Sequence, residues 1–215
     1  MHGFRRAAVA VALLLGSGLP LAAQPARLLP VDQAARDPSF VRFRTRLVEA
    51  VRRRDAAYVQ SILAADITNS FGGNGGRAEF REMWDPEHPA SQLWSALEEV
   101  LRLGGAFRGD SIFQAPYVYS SWPERFDNFE YGAIVGSNVR VRGRPFLGAP
   151  IIGALSYDIV RMAHERGSNG FEAIHLPDGR VGYIATRFLR RSTDYRAIFV
   201  KRNGRWLLKA LVAGD

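Results

Sequence analysis

The sequence predicts an α+β protein: a mainly helical N-terminal domain over residues 37–133, a small β-barrel over 134–191 and a C-terminal β-hairpin over 192–215. Three patterns carry this reading. Apolar residues between Phe40 and Leu101 recur at the spacing of helical faces. From Ile134 onward they fall in short runs between turn residues. The last of these runs is split by Asn203-Gly204, the strongest short-range hairpin signal.

Ahead of these elements, residues 1–23 have the layout of a cleavable secretory signal peptide. Arg5 and Arg6 open it, an apolar run follows over residues 7–15, and Leu21-Ala22-Ala23 ends it in small residues. Gly16, Ser17, Gly18 and Pro20 break the run well short of the ~20 apolar residues that span a bilayer. No later stretch is long enough either, so no membrane span is expected, and the predicted location is periplasmic or secreted. Residues 24–36, rich in Pro and Ala, read as a tether from the cleavage site. Without cysteine the chain has no disulfide and no thiol nucleophile, and packing alone must hold its core.

The first helix places Phe40, Phe43, Leu47, Ala50 and Val51 on one face, with Arg42, Arg44, Arg46 and Arg52 largely elsewhere. Asp55 suits the N-cap of a second, short helix carrying Val59, Ile62 and Leu63. Phe71-Gly72-Gly73-Asn74-Gly75-Gly76 is a run of breakers. Lacking a following Lys-Ser/Thr or a Gly-x-Gly-x-x-Gly spacing, it reads as a turn and not as a phosphate cradle. Phe80 and Trp84 fit a further helix that Pro86 and Pro89 would end. Ser91 caps the next, whose face is Trp94, Leu97, Val100 and Leu101. The aromatic residues that follow, Phe113, Tyr117, Tyr119, Trp122, Phe126, Phe129 and Tyr131, read as core in preference to a ligand face.

In the strand-rich part, Val139 and Val141 alternate with Arg140 and Arg142, so core-facing valines turn the arginines outward. Residues 159–164 and 171–176 flank Gly167-Ser168-Asn169-Gly170 as one hairpin; 195–200 and 206–212 flank Asn203-Gly204 as a second. In Pro177-Asp178-Gly179, proline presets φ and glycine accepts a positive one. Gly182 leaves space for a close backbone approach.

Asn138-Val-Arg-Val-Arg142, Ala149-Pro150-Ile151-Ile152-Gly153-Ala154-Leu155, Gly170-Phe171-Glu172-Ala173-Ile174 and Leu176-Pro177-Asp178-Gly179-Arg180-Val181-Gly182-Tyr183-Ile184 occur in an order that resembles a bacterial SH3-type domain. The likeness runs from about Gly136 to Leu189 and departs from the pattern at two positions. Tyr157-Asp158 stands where a turn glycine is usual, and Phe171 where tryptophan is common. The resemblance implies that the barrel is SH3-like and is a binding module for cell-wall peptidoglycan or a protein segment. On that basis Arg140, Arg142, Tyr157, Asp158, Phe171 and Tyr183 are the candidate ligand-binding residues. Leu47-Val-Glu-Ala-Val51, Arg54-Asp55-Ala56-Ala57 and Gly204-Arg205-Trp206 resemble the opening helix and closing strand of a nuclear-transport-factor-2-like fold.

The net charge of +8 favours anionic partners: envelope polymers, lipid headgroups or nucleic acid. No dense basic block interleaves with stacking aromatics, so nucleic acid is set aside. His2 lies in the signal, leaving His88, His164 and His175. His164 and His175 stand on the two arms of one hairpin, with Glu172 or Asp178 only a nominal third ligand, and no metal or cofactor is expected. Asp85, Glu87, His88 and the Glu98-Glu99 pair are sequence neighbours and do not face one another across a cleft. With no Gly-x-Ser-x-Gly elbow or His-Glu-x-x-His run, no catalytic residue is assigned. The expected function is an exported cell-envelope binding protein. The alternative is an enzyme or small-molecule carrier with a pocket in the N-terminal domain, the barrel serving as a targeting appendage.

Overall fold

The computed structural model describes residues 26–163 and 167–214. The expected signal peptide and His164 therefore lie outside the described residues. The first part of the chain interleaves helices with strands. The helices are α1 (Pro38–Arg53), α2 (Ala56–Ser61), α3 (Gly76–Trp84) and α4 (Leu93–Arg102); the strands are β1 (Leu63–Thr68), β2 (Ala106–Arg108) and β3 (Ile112–Ala115). A single-turn helix, α5 (Tyr117–Ser120), leads into seven short strands: β4 (Tyr131–Ile134), β5 (Val139–Arg142), β6 (Ile151–Leu155), β7 (Ile159–Arg161), β8 (Phe171–His175), β9 (Val181–Ala185) and β10 (Leu189–Arg190). The chain returns through β11 (Arg196–Arg202) and β12 (Arg205–Val212).

Three sheets result, ordered β1-β12-β11-β3-β2, β10-β4-β7 and β6-β5-β9-β8. β11 pairs with β3, Phe199 opposite Phe113 and Ala197 opposite Ala115. Residues 116–195 are thus an insertion between two neighbouring strands of the first sheet. The hairpin turn is Asn203-Gly204, both at positive φ, a conformation these residue types adopt at little cost.

This architecture overturns the expected fold class in two respects. The N-terminal domain is not mainly helical, because β1, β2 and β3 alternate with its helices and share one sheet with the chain's end. β2 and β3 have three and four residues, too few for an alternation to register, and β1 buries Leu63, Ala64 and Ile67 without a period of two. The second part is not a closed barrel: its strands split into two sheets, and the β5–β9 register is Arg142 opposite Tyr183. The C-terminal hairpin forms as expected, β11 pairing antiparallel with β12, and it supplies the interior strands of the five-stranded sheet.

The first core is aromatic and gathers around Phe40. Its ring centroid lies 4.2 Å from Phe113 and 4.8 Å from Trp206, with Phe43, Phe107 and Phe199 within 6 Å. Asp37 starts α1 by accepting from the Ser39 and Phe40 amides (2.7 and 3.3 Å) and binds Lys201 Nζ of β11 at 2.9 Å, fixing helix to sheet. Asp55 caps α2 in the same way, accepting from the Tyr58 amide at 2.9 Å. The second core is aliphatic: Ile134, Val139, Val141, Val160, Ile174, Ile184 and Leu189.

A third cluster, with Leu28, Leu103, Tyr117, Val118, Ala133 and Ile159, lies at the seam between the parts. The segment expected as a tether crosses this seam as a strap. Ala26 and Leu28 exchange backbone hydrogen bonds with Ile159 and Tyr157 of the second part (2.8 Å each), and Val31 and Gln33 bond both sides of Gly105 in the first (2.9 Å each). Arg190 completes the seam: buried, it binds Glu99 Oε1 of α4 at 2.6 Å and donates to the Tyr195 carbonyl.

Candidate binding cleft

The alternation in β5 decides the surface of the second part. Val139 and Val141 enter the aliphatic core, which leaves Arg140 exposed and Arg142 half-buried on the opposite face. Gly182 keeps β9 against β5, for a Cβ there would lie 2.4 Å from Val141 Cγ1. Arg142 Nη1 donates to the Ala149 carbonyl at 2.8 Å and so pins the loop between β5 and β6. Beside β5 a cleft of about 320 Å³ opens, lined by Arg140, Arg142, Leu147, Phe171, Arg187 and Phe188 among others. Phe171 is only 6 % exposed and forms its apolar base. The Arg187 guanidinium sits 4.6 Å from the centroid of Phe188. Among the described residues no carboxylate lines this cleft, so its three guanidiniums set its charge.

The sequence candidates therefore divide. Arg140, Arg142 and Phe171 share the cleft; Tyr183 stands opposite Arg142 in the β5–β9 register. Asp158 is buried under the strap, accepts from the Ser156 amide at 2.6 Å and lies 3.7 Å from Arg27, which gives it a structural task. Tyr157 has φ +61°, the left-handed conformation in which glycine costs least, and faces a different cavity. Arg187 and Phe188 were not singled out in the sequence; they sit on a 3-10 turn (Thr186–Phe188) after β9, a position no periodicity marks. The run from Tyr131 to Tyr157, which contains no acid, is the sequence signal that points to this region.

Tyr157 lines a junction cavity of about 310 Å³, together with Val31 of the strap, Arg102, Leu103, Tyr117 and Val135. The Tyr117 hydroxyl is buried and has no hydrogen-bond partner among the described residues. Burial pushes its phenol up to about 12, with nearby Tyr157 adding to the rise and Arg102 opposing it. A larger cavity of about 450 Å³, beside Tyr119 and Trp122, has its key polar groups already engaged. Arg196 lies over the Phe71 and Tyr119 rings and donates to the Gly214 carbonyl, while Asp127 accepts from the Phe129 and Glu130 amides.

The remaining polar motifs are structural. The glycine loop folds over Glu79, whose carboxylate accepts from Asn69 Nδ2 at 2.8 Å, leaving an acid where a phosphate would need cations. Glu99 is taken by Arg190, and His88 Nδ1 accepts from the Ala90 amide. Among the described residues no three His, Asp or Glu side chains cluster as metal ligands, and no helix is long and apolar enough to cross a membrane. Compared with protein-family models, curated proteins and solved structures, the chain shows no significant match to any of them.

Proposed function

We propose that this is an exported cell-envelope binding protein whose insertion, through its strands β4–β10 (residues 131–190), takes a carboxylate-bearing segment of peptidoglycan or of an envelope protein in the cleft beside β5. The observation that carries the reading is the pairing of three guanidiniums, Arg140, Arg142 and Arg187, with an apolar base of Phe171 and Phe188 and, among the described residues, no lining acid. A planar guanidinium binds a carboxylate through paired N–H donors, while the rings accept the apolar part of the same segment. The resemblance to bacterial SH3-type domains attaches to this stretch and implies the same kind of ligand. On this reading the insertion interrupts a part resembling nuclear-transport-factor-2-like proteins, separating its opening helix α1 from its closing strand β12.

Purified sacculi and an envelope extract, each incubated with the chain from Gln24 on, test the proposal. The protein is expected to be retained, and Arg140→Glu to weaken retention by at least about tenfold, the scale of one charge-assisted hydrogen bond. Equal retention of both proteins would remove the cleft from the account. N-terminal sequencing of the exported product, expected to begin near Gln24, tests the export half of the reading. A start at Met1 in the membrane pellet would contradict it.

A second reading has its own observation. The Tyr117 hydroxyl, buried without a partner among the described residues beside the junction cavity, favours a small polar ligand there, which makes the chain a carrier with its site at the seam and not inside the first part. Tyr157→Ala distinguishes the two: it leaves sacculus binding unchanged on the first reading and abolishes carriage on the second.

A further inference from the structure

The loop between β5 and β6 does something that the cleft does not require. It carries apolar side chains outward: Phe146 is 46 % exposed, Leu147 68 % and Ile151, the first residue of β6, 52 %. Exposed apolar residues scattered singly are ordinary, whereas three within six positions form a patch. The cations of the same run, Arg140, Arg142 and Arg144, have no acidic neighbour in sequence from Tyr131 to Tyr157. Arg140, Arg144 and, across the cleft, Arg187 are exposed. The β8–β9 turn, at the same end of the sheet by register, holds Asp178, whose carboxylate is neutralised by Arg180 at 2.7 Å.

The loop is also built to hold this shape. Ala149 is buried, its amide donates to the Phe146 carbonyl (3.1 Å), Gly143 donates to the Pro150 carbonyl (2.9 Å), and Arg142 clamps the Ala149 carbonyl from the side (2.8 Å). The exposed apolar residues are therefore held without having to be ordered when the loop docks, which removes a cost of association.

We infer that the loop of residues 143–151 seats this protein on an anionic lipid bilayer, with Phe146, Leu147 and Ile151 entering the headgroup boundary and Arg140, Arg144 and Arg187 facing lipid phosphates. Exposed apolar side chains beside exposed cations are complementary to a fluid anionic interface: the apolar groups gain burial and the cations gain surface potential. A protein partner would need a preformed pocket for three side chains of unlike shape, which a bilayer does not. The inference goes beyond the cleft's ligand, since Phe146 and Ile151 lie outside the cleft lining, and it holds whether or not sacculi bind.

Co-sedimentation with lipid vesicles tests it, using the chain from Gln24 on, which keeps every residue of the described fold and omits the apolar leader. Vesicles of phosphatidylcholine containing about one third phosphatidylglycerol are expected to pellet the protein, phosphatidylcholine alone to pellet far less, and added salt to release it. Phe146→Ser with Leu147→Ser should lower the partition at least about tenfold, and Arg144→Ala about fivefold, on the scale of one cation at a charged surface. The melting temperature should not move, because all three side chains are exposed. Equal partition on both vesicle types, or an unaltered double variant, would overturn the inference. So would sedimentation velocity showing a dimer that the double variant loses while vesicles bind neither protein, which assigns the patch to a second copy of this chain.

Discussion

The two parts of the molecule use their large side chains in opposite ways. In the first, Phe40, Phe113, Phe199 and Trp206 are at most 5 % exposed and stack around one centre. In the second, the core is aliphatic, and the phenylalanines stand at its margin: Phe171 and Phe188 in the wall of a cleft, Phe146 in solvent. Aromatic content therefore marks no site by itself. An aromatic ring is a contact surface where β-branched residues have already filled the core behind it, and a structural element where nothing else can.

Ending the chain after Arg191 removes β11 and β12, and with them Phe199, Trp206, Leu208 and Leu211, each worth about 1.5–3 kcal/mol of burial. Their sum is comparable with the whole stability of a domain, about 5–15 kcal/mol, so the truncated chain should show no cooperative thermal transition. Retention of the parent melting temperature would mean that the first sheet survives without its two interior strands.

Phe40→Ala opens a cavity at the centre of the aromatic cluster and should cost about 3–5 kcal/mol in urea denaturation, against no more than about 0.5 kcal/mol for Phe146→Ala. Similar costs for the two would abolish the contrast on which the comparison stands.

Asp37 gives a smaller and pH-dependent effect. The bond from Lys201, followed by the bond from Ser39, holds its carboxyl well below the ordinary value of 3.8. The unfolded chain therefore binds this proton first as pH falls. The contribution of Asp37 is complete above pH ~4 and is lost as the pH drops through the depressed folded value. Asp37→Ala should cost about 1 kcal/mol at neutral pH, the worth of an N-cap, and should flatten the acid limb of a stability profile measured by chemical denaturation. An acid limb with unchanged slope would show that Asp37 is not the group that titrates.

Local elements were legible where a period or a cap spoke for itself. The face of α1, the Asp55 cap, the Asn203-Gly204 turn and the outward arginines of β5 follow from spacing within a few residues. What escaped depends on partners far along the chain. β1 lies beside β12, and β3 beside β11 across the whole insertion, and neither pairing leaves a pattern in a three- to six-residue strand. The strap follows the same rule: Pro and Ala give it the composition of a tether, while its order comes from the backbone groups of Tyr157, Ile159 and Gly105. Of the candidate cleft, Arg140, Arg142 and Phe171 were named from sequence, and Arg187 and Phe188 were not, because a 3-10 turn carries them to the far wall.

The most direct test of the account is a binding isotherm of the chain from Gln24 on against purified sacculi, run beside Arg187→Glu and Phe40→Leu. If the margin of the second part binds and the centre of the first part only holds the fold, Arg187→Glu loses at least about tenfold in affinity at an unchanged melting temperature. Phe40→Leu should then lower the melting temperature and leave the affinity intact at temperatures where it is folded. Full affinity in Arg187→Glu, or lost affinity in folded Phe40→Leu, would contradict the division of labour and move the site into the first part.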